Sequence, residues 1–469
     1  MLNAVGPVHA ENRRDIDYLK NYRSGVQSIL QKEKPIRPEI NNMVVMNHAQ
    51  MITRNIIGYF LGTPIQYIQN GDTTKKEQID QLNRWVSYED KASVDREIGE
   101  LQSICGTAYR IIYSDEGMFS DEVPFEDKAL DPSNTFVVYE NTIAEKPLAG
   151  VHYYTLLDEK GNATGTHLYV YTDFGVYEII AKGMMGQFNS NNEYTFKEYN
   201  VGGIPIIEYP NNRWRTGDWE LCIGLMDAIN ELHSGRLDDI DQVVQSLLVF
   251  VNADLDGERY EEMRQYGVIS LKNNTGQQSS VNTVQTTLDQ AGMNSFAQEL
   301  EGMLYALIGI PDRNNRSGGG GDTGQAVELR DGWADLEIIA RNKELEFKKS
   351  EKQALRIILN MVKNKEGFDL SLLDVDIKFS RNKNNNLLVK SQAYSTLLAT
   401  KTLTPADCLT IVDLVSDVNE FVARGEEFWG DKFANNTVGM EIGLSGDVSQ
   451  KDTSKNDGSE SVEESDDVE

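Results

Sequence analysis

The sequence predicts an α+β chain, and three observations predict it. Several long stretches carry apolar residues every three or four positions, the period of a helix with one buried face. Between residues 108 and 180 the period falls to two, and aromatic and β-branched residues crowd in. Beyond Asp322 one helical pattern persists until Gly367, far longer than the average globular helix of about 11 residues.

Taken in order, Met1 to Arg14 lack the apolar core of a secretory signal. Residues 12–34 read as a peripheral helix with Ile16, Leu19, Val26 and Leu30 as its apolar positions, ending before Pro35 and Pro38. Residues 47–65 read as an apolar helix closed by Gly62 and Pro64. His48 lies at its start; with no second ligand nearby in sequence, it reads as a capping or core histidine before a metal ligand or catalytic group. Residues 78–106 are helical with an interruption at Tyr88-Glu89-Asp90.

Strands are expected at 109–113, 135–139, 151–155, 167–171 and 176–180, with tight turns at Lys160-Gly161-Asn162 and Asp173-Phe174-Gly175, hence an antiparallel meander. His152 and His167 could face each other across neighbouring strands, where ordinary cross-strand packing is the simpler reading. Residues 202–212 end the sheet with a sharp turn. Asp218 is placed to cap a third helix running to about residue 256, with Leu225, Ile229, Leu232, Ile240, Val243, Leu247 and Val251 on one face and Asp238, Asp239 and Asp241 on another. Arg236 stands where an apolar residue was due.

A compact insert, 258–288, holds one short strand at 268–271. The next helix carries Met293, Phe296, Leu300, Met303, Leu304 and Leu307 on one face and stops at Gly309 and Pro311, so the insert sits at the tip of a helical hairpin. A loop of nearly no packing side chains follows: Asn314, Asn315, Arg316, Ser317, Gly318, Gly319, Gly320, Gly321 and Asp322. Thr323 can cap the long rod, on which Glu337 and Arg341, and Glu344 and Lys348, pair four apart. Residues 375–379 form a strand, residues 387–431 are helical in pieces with Thr404-Pro405-Ala406 opening one, and 445–469 is an acidic tail expected to be disordered.

A chain of 469 residues supports two to four structural regions. The net charge of −29 excludes an open surface built to grip a nucleic-acid backbone, yet suits a wall past which a polyanion must slide. Cys105, Cys222 and Cys408 are far apart and read as reduced core cysteines. No stretch approaches the roughly 18 consecutive apolar residues of a membrane span. The glycine loop ahead of a helix invites a phosphate-binding reading, but Gly321 leads to Asp322-Thr323-Gly324-Gln325 instead of Lys and Ser or Thr, and a helix precedes it where a dinucleotide fingerprint needs a strand. No metalloprotease, nucleophile-elbow or calcium-loop motif stands out, so no catalytic residue, metal or cofactor is expected.

The order of these segments resembles the portal proteins of tailed double-stranded-DNA bacteriophages with long non-contractile tails, the siphophage type. The residues that carry the resemblance are Gly58-Tyr59-Phe60-Leu61-Gly62-Thr63-Pro64 ending the 47–65 segment, Ile204-Pro205-Ile206-Ile207-Glu208-Tyr209, the helix–insert–helix of 218–309, and Ile310-Pro311-Asp312 ahead of the loop and rod. The resemblance implies a ring-forming portal fold with a long-helix stem and an antiparallel or mixed β wing. Its regions would be a wing (1–217), stem helices (218–256 and 289–310), a clip (257–288), a tunnel loop (311–322), a long wing helix and strand (323–386), crown helices (387–444) and the acidic tail (445–469). It further implies a homo-oligomer, usually a dodecamer, at one capsid vertex, assembled in the host cytoplasm, through which double-stranded DNA passes. The implied partners are the terminase large subunit, the major capsid and scaffolding proteins and a head-tail adaptor, with no membrane. Asn314 to Asp322 would project at the DNA, Arg316 touching a phosphate transiently, and Asp238, Asp239 and Asp241 are possible channel-facing acids. Another virus head or tail adaptor, and a hydrolase or nucleotidyl-transfer enzyme with a dispersed site, are the alternatives left open.

Overall fold

The computed structural model describes residues 2–70, 75–114, 123–181, 193–244, 247–251, 280–284, 290–312, 333–366, 368–381, 387–400 and most of 402–425. The fold is α+β, in two compact units, 1–383 and 384–469.

In the first unit α1 (Leu2–Ser24) begins earlier and ends sooner than the sequence implies. Gly25, at φ +101, breaks it, and of the four apolar positions Ile16 and Leu19 are buried while Val26 and Leu30, beyond the break, are exposed. Asn47 caps α2 (His48–Phe60) by accepting a hydrogen bond from the Gln50 N–H. α3 (Lys76–Tyr88) and α4 (Lys91–Cys105) are separated where expected, by Asp90 in the left-handed region. At Gly106, φ +74, a Cβ would stand 2.0 Å from the Arg215 carbonyl oxygen, so only glycine lets the chain leave α4 there.

The expected meander divides into two sheets. One orders β3 (Glu126–Leu130), β2 (Thr107–Tyr113) and β9 (Ile206–Pro210); the other runs β4 (Thr135–Tyr139), β5 (Pro147–Leu157), β6 (Ala163–Tyr171), β7 (Gly175–Ala181) and β8 (Glu193–Glu198), every pairing antiparallel. The sequence hid β3 and β8 behind charged residues, and it disguised β9 as a turn because Gly202, Gly203 and Pro205 precede it and Pro210 ends it. His152 and His167 do not oppose each other: His152 stands opposite Tyr169, and His167 opposite Tyr154. The Thr135 hydroxyl lies 2.9 Å from His152 Nδ1, and Glu178 lies 2.8 Å from His167 Nε2.

The third helix is also shorter than expected. α5 spans Ile223–Val244, preceded by a 3-10 turn at Glu220–Cys222, and β10 (Leu247–Val251) pairs with β11 (Ser280–Val284). Leu247 and Val251 matched the helical period by coincidence, because Leu247-Leu248-Val249-Phe250-Val251 is a short apolar run in which β-branched and aromatic residues favour a strand. α6 (Gln290–Ile308) closes at Gly309. α7 (Trp333–Glu366) is the rod, 34 residues and roughly 51 Å at the helical rise. β12 (Val375–Lys378) then pairs with β1 (Gln66–Gln69). The main core gathers Ile52, Ile56 and Phe60 of α2, Ile98 of α4, and Phe347, Leu355 and Ile358 of the rod.

In the second unit α8 (Leu387–Ala399) and α9 (Pro405–Val412) are described, with the Thr404 hydroxyl accepting from the Asp407 N–H as a cap. The expected strand at 268–271, the start of the rod from Thr323 to Leu329 and the tail from Ser445 lie outside the described residues.

Candidate functional site

The α5–α6 hairpin is the candidate site. In α6, Ala297, Leu304 and Ile308 are buried, spaced by seven and four so that they form one face. Phe296, Met303 and Leu307, one position earlier in each case, form the adjacent face and are 50%, 49% and 71% exposed. The single buried stripe expected from sequence is thus two stripes, one used within the chain and one left open. α5 repeats the pattern: Met226 and Ile229 are buried, while Leu237 and Ile240 are 43% and 39% exposed. Arg236, the interruption noted in sequence, reaches across to α6, where Gln290 accepts at 3.3 Å and Asn294 at 3.5 Å.

At the root of the hairpin α2, α5 and α6 meet in a polar joint. His233 Nε2 lies 3.7 Å from Glu301, and the His48 ring sits 6.2 Å from that of Tyr305. His48 is a core histidine: burial lowers its pKa, and its Nε2 has no hydrogen-bond partner among the described residues.

The rod is fixed to the sheets by a charge network that sequence reasoning missed. Glu351, fully buried, accepts from Tyr67 at 2.6 Å, Tyr209 at 2.8 Å and Arg110 at 3.0 Å, with Lys91 Nζ at 3.0 Å. Arg110 also pairs with Asp95, which Lys91 reaches at 2.6 Å, and its Nε lies 3.4 Å from Asp127. Burial opposes charge at Glu351, but Lys91, Arg110 and the Tyr67 hydroxyl hold its carboxyl below the usual range. Asp127, whose two oxygens have no hydrogen bond among the described residues, is pushed up by burial to about 6 in spite of Arg110 and Lys91. Lys343, inside the rod, is buried and pairs with Asp218 at 2.9 Å and with Asn211. Asp218 is therefore an anchor for the rod and not a helix cap. The expected rod pairs are present, Glu337 with Arg341 at 2.9 Å and Glu344 with Lys348 at 3.1 Å.

Of the acids expected to face a channel, Asp238 is buried, and its carboxylate is taken up by Lys32, Lys34 and Asn42. That carboxylate accordingly faces its own chain. Asp241 accepts from Asn42 at 2.8 Å, and Asp239 is half-buried. Asn314 to Asp322 lie outside the described residues, as does most of 257–288.

The hairpin thus leaves apolar stripes uncovered, on a body whose interior charges are largely matched. Among the described residues no group of three or more His, Cys, Asp or Glu side chains is placed to hold a metal ion. A family model described as phage portal protein, SPP1 Gp6-like, matches residues 5–427, and the chain belongs to that family. The chain is similar to the portal protein of Clostridium phage phiCD119, with 20% identity over 378 residues covering 76% of this chain and 81% of that one. It is also similar to the portal protein of Bacillus phage SPP1, with 25% identity over 287 residues covering 58% of this chain and 53% of that one. It is a structural, non-enzymatic component of the phage particle with a portal role in DNA packaging.

Proposed function

We propose that copies of this chain close into a ring, a dodecamer, at one vertex of the capsid, and that the α5–α6 hairpins form the wall of its channel. The observation that carries this reading is the second apolar stripe, Phe296, Met303 and Leu307 with Leu237 and Ile240, which one copy leaves in water. Side chains of that size contribute about 1.5–3 kcal/mol each when fully buried. Self-association about a rotation axis covers the stripe on every copy at once.

In this arrangement residues 1–217 and 323–386 are the wing, 218–256 and 289–310 the stem, and 257–288 the clip that meets the terminase large subunit and later a head-tail adaptor. Residues 387–444 are the crown, facing the capsid interior beside the major capsid and scaffolding proteins. Residues 314–322 are the tunnel loop, with Arg316 meeting DNA phosphates one at a time. A chain of net charge −29 suits a conduit that holds DNA weakly during packaging and ejection. Electron micrographs of the purified full chain should show closed rings with a central hole. A stable monomer at all protein concentrations and ionic strengths tested overturns the proposal.

A further inference from the structure

Asn230, Ser234 and Asp238 recur every four residues along α5, so they line one face of the helix. Lying against that face is the extended segment 42–46. Four residues of helix advance about 6 Å, and two residues of extended chain about 6.6 Å. The two ladders therefore keep step. The backbone N–H groups of Met46, Val44 and Asn42 donate in turn to Asn230 Oδ1 at 2.7 Å, Ser234 Oγ at 2.9 Å and Asp238 Oδ1 at 2.7 Å.

Side chains reinforce both ends. Asn42 Nδ2 reaches Asp238 at 3.0 Å and Asp241 at 2.8 Å, while Lys32 and Lys34 close on Asp238 Oδ2 at 2.8 Å and 3.3 Å. At the other end Asn230 donates to Gln27 at 2.6 Å, and Gln27 donates to the Tyr22 carbonyl of α1 at 3.1 Å. The N-terminal half of α5 is also held by the core, through Met226 and Ile229. Asp238, two turns farther out, is held from the side by this strap.

We propose that the strap of residues 32–46, clasped on Asn230, Ser234 and Asp238, sets the angle at which the stem leaves the wing and thereby the number of subunits that close the ring. The inference rests on the ring reading above. Rings of twelve and thirteen differ by only about 2° of rotation between neighbours. Over α5, roughly 33 Å long, a tilt of about 2° moves the tip by about 1 Å. A row of short hydrogen bonds along the helix flank holds the tip to that tolerance, whereas apolar contacts at the root alone allow it to swing.

The test is native mass spectrometry of rings assembled from the full chain. The wild type yields one subunit number. In Asp238→Ala, and in the milder pair Lys32→Ala with Lys34→Ala at the strap's outer edge, the share of rings with a different subunit number at least doubles. Asp238→Asn keeps an oxygen for the Asn42 N–H and broadens the distribution less than Asp238→Ala. Asp131→Ala, which removes the Lys20 ion pair elsewhere in the wing, leaves the wild-type number in place. The inference is overturned if the strap variants keep the single wild-type number, or if Asp131→Ala broadens it as much as they do. A wild-type chain that forms no closed rings overturns the ring reading itself.

Discussion

The sheet-and-rod body and the α5–α6 hairpin answer the same problem in opposite ways. Beneath the rod, a cluster of five ionisable side chains sits in the interior, Lys91, Asp95, Arg110, Asp127 and Glu351, and α4, β2, β3 and the rod supply one another's partners within it. In the hairpin, uncharged residues that could have been buried are left in solvent. The charge cluster is thus satisfied within a single copy, while the hairpin's open stripe is the surface that the proposed ring would cover. An internally matched charge cluster gives one rigid geometry. An open apolar stripe gives an attachment whose strength grows with the number of neighbours.

The contrast can be broken from either side. The largest effect on folding is expected from Glu351→Ala, which removes one of the two carboxylates that Arg110 and Lys91 share and leaves the buried Tyr67 and Tyr209 hydroxyls without their acceptor. A loss of about 3–5 kcal/mol is expected, read as a lower denaturant midpoint, and an unchanged midpoint would mean the cluster is not a joint. Met303→Asp with Leu307→Asp should abolish rings in micrographs while shifting subunit stability by no more than about 0.5 kcal/mol for each exposed position. If instead the subunit unfolds, the stripe serves its own copy.

The third effect depends on pH. Folded Asp127 takes up its proton near pH 6, and the unfolded chain only near the ordinary carboxyl value, so its contribution to stability rises as pH falls from about 6 toward 4. Asp127→Asn removes that rise. The variant should match or exceed wild type in urea at pH 8 and fall behind at pH 5, and an identical gap at both pH values refutes the assignment. The smallest effect is expected for Arg236→Ala, on the order of 0.5 kcal/mol, because Arg236 joins α5 to α6 through two long and partly exposed hydrogen bonds.

Much of the fold was legible because local chemistry dictates it. The aromatic alternation of β4 to β7, the break at Asp90 and the Gly309 stop each rest on a residue and its immediate neighbours. What escaped depends on distance along the chain. Arg110 meets Glu351 across 241 residues and Asn42 meets Asp238 across 196, and nothing in either sequence neighbourhood names the other. One kind of signal was present and informative: a charge standing where an apolar residue was due. Lys343 in the rod and Arg236 in α5 both interrupt an apolar phase, and both turn out to reach a partner on another element. Arg110, inside the run Tyr109-Arg110-Ile111-Ile112, is the same signal in a strand. The hairpin's open stripe was visible only as half of a wider pattern, since periodicity marks apolar residues without saying what covers them.

The rod's attachments have a mechanical consequence. Tyr59 holds Glu337 at 2.8 Å, Asp218 holds Lys343 and the buried cluster holds Glu351, while β12 fastens to β1 and Arg381 returns to Glu337 at 3.1 Å. A beam pinned at successive points and tied back to its own beginning behaves as a braced strut. Such a strut keeps its position along its whole length relative to the sheets, because a shift of any one segment must break the contacts of the next.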